Sequence, residues 1–287
     1  MELNRYSFQI ESNEGGPLHS EKICPRKKDH FMKPRKLFDN LAQKTHMPFY
    51  NDGELVFCIN EQITAKHFGK RQGQEKPLQY RPWKIAHAEW GKKKISPVEV
   101  PLPDDAILCN PTFYKEDGLI FLSFVAGITD EDRIDYHLYQ MFGPSWKELC
   151  EPVQLAEEHA RTGFISPRHH CFGGLSFLTL FDRKVEQWSR LSTSLQQITR
   201  AIYDPVNPAN LLLTGSNETG DFRTLRFNVD TGETLELKGP VPLYKSCLVN
   251  DKVVFSHRES DDLEDYHLCL ETTLYEWTVE SVNIESR

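Results

Sequence analysis

The sequence predicts an all-β fold, a five-bladed β-propeller, and three observations support this prediction. A hairpin pattern recurs five times, an alternating segment follows each hairpin, and patterns with helical period are short everywhere. Repeated antiparallel units of about 40 residues, each packing only on its neighbours, are typical of propeller blades. The spacing between units is uneven, which indicates loop insertions between otherwise similar blades.

Each predicted hairpin has an apolar strand, a turn containing Asn, Asp or Gly, and a second apolar strand. The five segments are 46–57, 110–121, 166–177, 200–213 and 244–255. One aligned position is apolar in every unit and is occupied by Phe57, Phe121, Phe177, Leu213 and Phe255. This shared position predicts that the second strands pack alike in all blades.

The segments that follow the hairpins alternate between apolar and polar residues, as third strands do. They are 83–90, 135–142, 186–191, 222–227 and 265–270, and a weaker fourth strand such as 234–238 follows in most units. We therefore expect residues 41–287 to form one propeller domain, preceded by an N-terminal strand and polar arm in residues 1–40. Arg5–Ile10 is a candidate for the outer strand that closes the ring, and Tyr275–Val282 is the alternative.

Charge and cysteine content exclude several classes of protein. A formal net charge of −8 argues against a general nucleic-acid binder, whose affinity comes from neutralising phosphates. The sequence contains neither a signal-like apolar N-terminus nor a run of about 18 apolar residues, so we expect a cytoplasmic protein without a membrane span. The seven cysteines are scattered without any C-x-x-C, which indicates buried reduced thiols.

The propeller prediction places two sets of side chains around the axis on one face. They are the residues at the starts of the first strands and those at the ends of the second strands. The first set comprises His46, Asn110, Arg168, His169, His170, Arg200 and Lys245, and the second includes Glu61, Asp182, Glu218, His257, Arg258 and Glu259. Imidazoles, cations and carboxylates clustered in a cleft are typical of a functional site, although such groups also pair with one another for structural reasons.

Two chemistries remain open for this predicted funnel. In the first, His46, His170 and His257 bind a divalent metal ion, with Glu61 or Glu259 as a fourth ligand. In the second, the same five residues perform acid–base catalysis. In either case an anionic substrate would be bound by Asn110, Arg168, His169, Arg200, Lys245 and Arg258.

Five such blades resemble the propellers of several glycoside hydrolase families, among them the arabinanases, xylosidases and invertases. The resemblance covers roughly residues 41–287 and concerns architecture, because no family motif matches. Those enzymes place Asp or Glu on the first strands, since glycosidic cleavage ordinarily requires paired carboxylates. Here the equivalent strands begin with His46, Asn110, Arg168 and Arg200. Metal-dependent uronate lyases on larger propellers look similar in another respect, because they use histidines from several blades.

The sequence therefore predicts an enzyme of the lyase, hydrolase or isomerase/cyclase type with one central funnel for a small anionic or carbohydrate-like substrate. The alternative is a non-catalytic propeller that binds a sugar or a protein partner. The loops of the predicted blades differ in length and composition, which favours one central site over several equivalent sites.

Overall fold

The structure is a computed structural model of the 287-residue chain. It describes residues 34–38, 43–61, 84–100, 106–128, 133–142, 145–149, 153–154, 162–174, 176–239, 243–258, 272–278 and 280–281. Every strand described belongs to one compact unit, Met32–Arg287. Within these ranges no helix is long and apolar enough to cross a membrane.

The described strands form five antiparallel sheets, one per blade, so the predicted five-bladed β-propeller is confirmed. Blade one contains, from the axis outwards, β2 (Gln43–Asn51), β3 (Glu54–Glu61), β4 (Lys84–Glu89) and β5 (Ser96–Val98). Blade two contains β6 (Ala106–Glu116), β7 (Leu119–Ile128) and β8 (Arg133–Phe142), with β9 (Ser145–Glu148) and β10 (Val153–Gln154) both pairing with β8.

The remaining three blades follow the same plan. Blade three contains β11 (Thr162–Ile165), β12 (His169–Gly174), β13 (Phe177–Asp182) and β14 (Gln187–Ser192). Blade four contains β15 (Gln197–Tyr203), β16 (Asn210–Ser216), β17 (Phe222–Asn228), β18 (Thr234–Lys238) and β22 (Glu280–Ser281). Blade five contains β19 (Tyr244–Val249), β20 (Lys252–Arg258), β21 (Thr272–Thr278) and, at its outer edge, β1 (Arg35–Lys36).

The described residues show which strands complete blade five, and they correct one of the two predicted closing strands. Arg35 and Lys36 pair with Glu276 and Tyr275, so β1 completes blade five from the N-terminal side. Arg5–Ile10 and the predicted third strand 265–270 lie outside the described residues. The segment predicted as an alternative closing strand is divided, because Thr272–Thr278 is the third strand of blade five and Glu280–Ser281 joins blade four.

In blade three the strands pair differently from the predicted hairpin 166–177. Its first strand is Thr162–Ile165, and the first turn is Ser166–Arg168, where the Ser166 amide donates to the His169 carbonyl at 2.8 Å. The glycines that suggested a turn lie inside β12 instead. Gly173 has φ 149°, and a Cβ there would lie 2.8 Å from the Phe177 carbonyl oxygen. The glycine therefore permits a close strand approach.

The axis near the first turns is filled by aromatic side chains from the first strands of four blades. Phe49 contacts Tyr203 and Phe113 with ring centroids 5.1 and 5.6 Å apart, and Phe164 contacts Tyr203 at 5.7 Å. The Tyr203 hydroxyl donates to the Phe113 carbonyl at 2.6 Å. These rings are buried, so this part of the axis is a packed core rather than an open channel.

Candidate functional site

The positions of the polar candidate residues are described relative to two opposite faces of the propeller. On the start face the first strands begin and the second strands end, at residues such as Tyr244 and Arg258. On the turn face the first strands turn into the second strands, at residues such as Asp52 and Asp117. The predicted funnel required all candidate residues to lie at the start face. The structure divides them between the axis and the two faces.

Arg200 occupies the axis with only 1% of its surface exposed. Its Nε donates to Asn110 Oδ1 at 3.0 Å, and Nη2 donates to the Pro48 carbonyl at 2.7 Å. Its Nη1 donates to the carbonyls of Lys245 and Ser246 at 2.9 and 3.1 Å. One guanidinium from blade four thus binds the first strands of blades one, two and five.

Asn110 completes this connection. Its Nδ2 donates to the carbonyls of Gly163 in blade three and Ala201 in blade four, at 2.8 and 2.9 Å. Together with Arg200, Asn110 links all five first strands through hydrogen bonds. We call these two side chains the axial pair.

Local backbone irregularities adjoin three of the acceptors of the axial pair, the carbonyls of Pro48, Lys245 and Ser246. β-Bulges interrupt the first strands of blades one, two, four and five, and Met47, Asn110 and Lys245 have positive φ values of 55°, 56° and 44°. Bulges turn carbonyls away from the sheet ladder, which leaves them free to accept from side chains. The axial pair is therefore buried and engaged with protein acceptors, a structural role instead of the predicted contact with a substrate.

Arg168, His169 and His170 lie at the opposite face from the predicted funnel, because they follow the first turn of blade three. Arg168 donates to Asp182 at 3.1 Å and to Asp230 at 2.8 Å, which connects blades three and four. Burial opposes ionisation of Asp182, but hydrogen bonds from the Lys184 amide and from Arg168 outweigh it and lower its pKa. The Arg168 charge is thus neutralised within the protein.

The two histidines beside Arg168 are largely removed from solvent. His169 is buried, with Nε2 3.7 Å from an Asp182 carboxylate oxygen, and its pKa is lowered by burial and by the Arg168 charge. His170 packs edge-on against Phe181 at 5.8 Å, and burial followed by the Arg183 charge lowers its pKa. Both imidazoles therefore favour the neutral form.

The three histidines predicted to bind a metal ion do not come together. His170 lies near the turn face, whereas His257 pairs with Thr273 near the start of the third strand of blade five, and His46 pairs with Cys58 in blade one. Across the described ranges, no three His, Cys, Asp or Glu side chains are placed to hold a metal ion. The structure therefore separates His170 from the other two histidines of the predicted metal site, His46 and His257.

Near the start face, His46 lies on blade one, and Lys245 and His257 lie on blade five. These two blades are neighbours, because β2 of blade one packs against β19, β20 and β21 of blade five. His257 packs edge-on against Tyr275 at 5.7 Å. The strands that carry Glu61 and Arg258 also end at this face, but the structure does not describe these two side chains. Glu259 lies outside the described residues.

A pair of aromatic side chains on the start face was not selected from the sequence. Phe222 begins β17 in blade four and Tyr244 begins β19 in blade five, and their rings stack with centroids 4.0 Å apart and planes inclined by 18°. Both side chains are partly exposed. The Lys245 Nζ lies 5.7 Å from the Tyr244 ring centroid. An aromatic residue at the start of each strand was the available sequence signal, but their contact depends on how blades four and five pack.

No protein-family model matches the chain, and no curated protein matches it in sequence. Solved structures do share its fold. The family 117 glycoside hydrolase Zg3597 of the marine bacterium Zobellia galactanivorans is 8% identical, with a TM-score of 0.52 over 88% of this chain and 92% of that chain. RS223 β-xylosidase is 9% identical, with a TM-score of 0.50 over 88% and 98%. The predicted resemblance to glycoside-hydrolase propellers is thus confirmed for the fold.

Proposed function

We propose that the protein binds a carbohydrate-like small molecule at the start face, with the stacked Phe222–Tyr244 pair as its platform. The single observation that carries this proposal is this partly exposed aromatic stack, where two blades meet. The C–H faces of sugar rings pack on aromatic rings, and Tyr also offers a hydroxyl to a polar ligand. A fold shared with glycoside hydrolases makes a sugar the preferred ligand class.

Lys245 favours an acidic sugar over a neutral one. Its ammonium group lies beside the Tyr244 ring, within reach of a carboxylate on a ring stacked there. His257, on the adjacent strand, is a further candidate donor or acceptor. The proposed ligand is therefore a uronic acid or an oligosaccharide that contains one.

Hydrolysis of that ligand is a second candidate function, favoured by the shared fold. The described first strands bring no carboxylate to the start face, because Glu116, the one acidic residue within them, ends β6 at the turn face. Glu61 and Glu259, which end or follow the second strands of the neighbouring blades one and five, are the pair of carboxylates that we propose for hydrolysis. Two carboxylates remain the chemical requirement for cleaving a glycosidic bond.

Binding is tested on a glycan array that contains neutral and uronic-acid glycans, followed by calorimetry with the best ligand and its neutral counterpart. We expect the acidic form to bind more tightly, and Phe222→Ala or Tyr244→Ala to weaken binding about fivefold, since stacking contributes about 1 kcal/mol. Trp188→Ala is the matched control, because Trp188 is 63% exposed on blade three, away from the platform.

Two results would contradict the binding proposal. One is the absence of saturable binding to every glycan tested, and the other is unchanged affinity in both aromatic variants. Hydrolysis is tested separately by incubating the bound glycan with wild type and with Glu61→Gln and Glu259→Gln. Release of a shorter sugar by the wild type and its loss in both variants would favour the hydrolase. If the wild type binds the glycan but releases no shorter sugar, the result would favour the non-catalytic binding function.

A further inference from the structure

A cleft between blades one and two opens at the turn face, away from the aromatic platform. It encloses about 510 Å³, within the range of small-molecule sites in proteins. Its floor is apolar, because Val56, Phe113 and Leu122 line it and are buried. An apolar floor of this size favours a ligand with a hydrophobic body.

The charged groups around this cleft leave an excess of negative charge. Glu54 and Glu99 both line it, and they belong to blade one. Lys115 supplies the opposite charge from blade two, but its ammonium forms an ion pair with Asp52. The Nδ1 atom of His87 lies 3.3 Å from a Glu54 carboxylate oxygen, which holds that carboxylate at the rim. The rim is thus complementary to a cation.

Aromatic rings that line the cleft also favour the binding of a cation. Trp146, on β9 of blade two, lines the cleft together with Phe113. A cation over the face of an aromatic ring is attracted by the quadrupole of the ring, most strongly for Trp. Carboxylates and a Trp around an apolar floor are the combination that recognises ammonium groups attached to apolar bodies.

We propose that the cleft between blades one and two binds a small organic ammonium ion with an apolar body. This site is independent of the proposed carbohydrate site, because it lies between other blades and at the opposite face. The apolar body would occupy the floor over Val56 and Leu122. The ammonium group would lie between the Trp146 ring and the carboxylates of Glu54 and Glu99.

The test is calorimetric titration of the 287-residue protein with benzyltrimethylammonium, with benzyl alcohol as a neutral probe and phenylacetate as an anionic probe. We expect saturable binding of the cation and at least about tenfold weaker binding of the other two probes. Equal binding of cation and anion would overturn the proposal. So would an absence of saturable cation binding up to about 10 mM.

Variants locate the binding site. Glu54→Gln combined with Glu99→Gln is expected to weaken binding of the cation about tenfold, and Trp146→Ala about fivefold. Because Trp146 also packs against the core, Trp146→Phe is included, with a smaller loss expected since Phe attracts cations less strongly. Glu89→Gln and Trp188→Ala are the matched controls, with unchanged affinity expected. Unchanged affinity in the carboxylate and Trp146 variants would also refute the site.

Discussion

Replacement of Arg200 by Met tests whether one buried guanidinium holds the first strands together. The Met side chain fills a similar volume but donates no hydrogen bond, so Asn110 Oδ1 and the carbonyls of Pro48, Lys245 and Ser246 all lose their donor. Each buried polar group left unsatisfied costs about 1–3 kcal/mol. Water entry and loss of the buried charge offset part of that sum, because a buried charge is itself costly. The expected loss is about 3–5 kcal/mol.

Equilibrium unfolding in guanidinium chloride measures this loss, provided that both proteins unfold in one transition with equal slopes. Arg223→Met is the matched control, since Arg223 is also in blade four but is 41% exposed and donates only to Glu236 at 3.3 Å among its described hydrogen bonds. An exposed pair of this kind contributes about 0–1 kcal/mol. A loss below about 1 kcal/mol for Arg200→Met, or one equal to that of the control, would refute the structural role of the axial pair.

Three further predictions concern blade three. Gly173→Ala should destabilise the fold by about 2 kcal/mol more than Gly220→Ala, measured by thermal unfolding, because only the first brings a Cβ within 2.8 Å of the Phe177 carbonyl oxygen. Since the pKa of His169 is lowered in the fold, its stabilising contribution is complete above the unfolded value of 6.5 and is lost as the pH falls. His169→Gln should therefore reduce the loss of unfolding free energy between about pH 7 and pH 5, and an unchanged pH profile would contradict this. Cys171 is buried and burial raises the pKa of its thiol, so native protein should resist alkylation at this residue by iodoacetamide, as peptide mapping would show.

Local patterns were sufficient to predict four of the five hairpins. In blades one, two, four and five the apolar strands flank turns such as Asn51–Glu54 and Asn250–Lys252, and the structure pairs them as expected. Alternation and turn residues are local properties, so they can be recognised without knowing which strand lies next in space. The same reasoning located the third strand of blade four, which begins at Phe222.

Blade three shows where local patterns mislead. Gly173 and Gly174 are typical turn residues, yet they lie in β12, and Ser166–Arg168 forms the first turn. The short strand Thr162–Ile165 supplies the partner that makes this arrangement stable, and its four residues carry little pattern of their own. The segment predicted as the first strand of blade three is therefore its second strand. For this reason Arg168 and its neighbouring histidines lie at the opposite face of the propeller from the predicted one.

The sequence by itself determined that five blades form and that Arg200 and Asn110 belong to first strands near the axis. Only the tertiary structure decided that these two side chains are engaged with each other and with the backbone of blades one, three, four and five. Their hydrogen bonds join residues up to 152 positions apart, as between Arg200 and Pro48. Contacts over such separations depend on bulge geometry and blade packing, whereas the pattern of each strand reports only which of its faces is apolar.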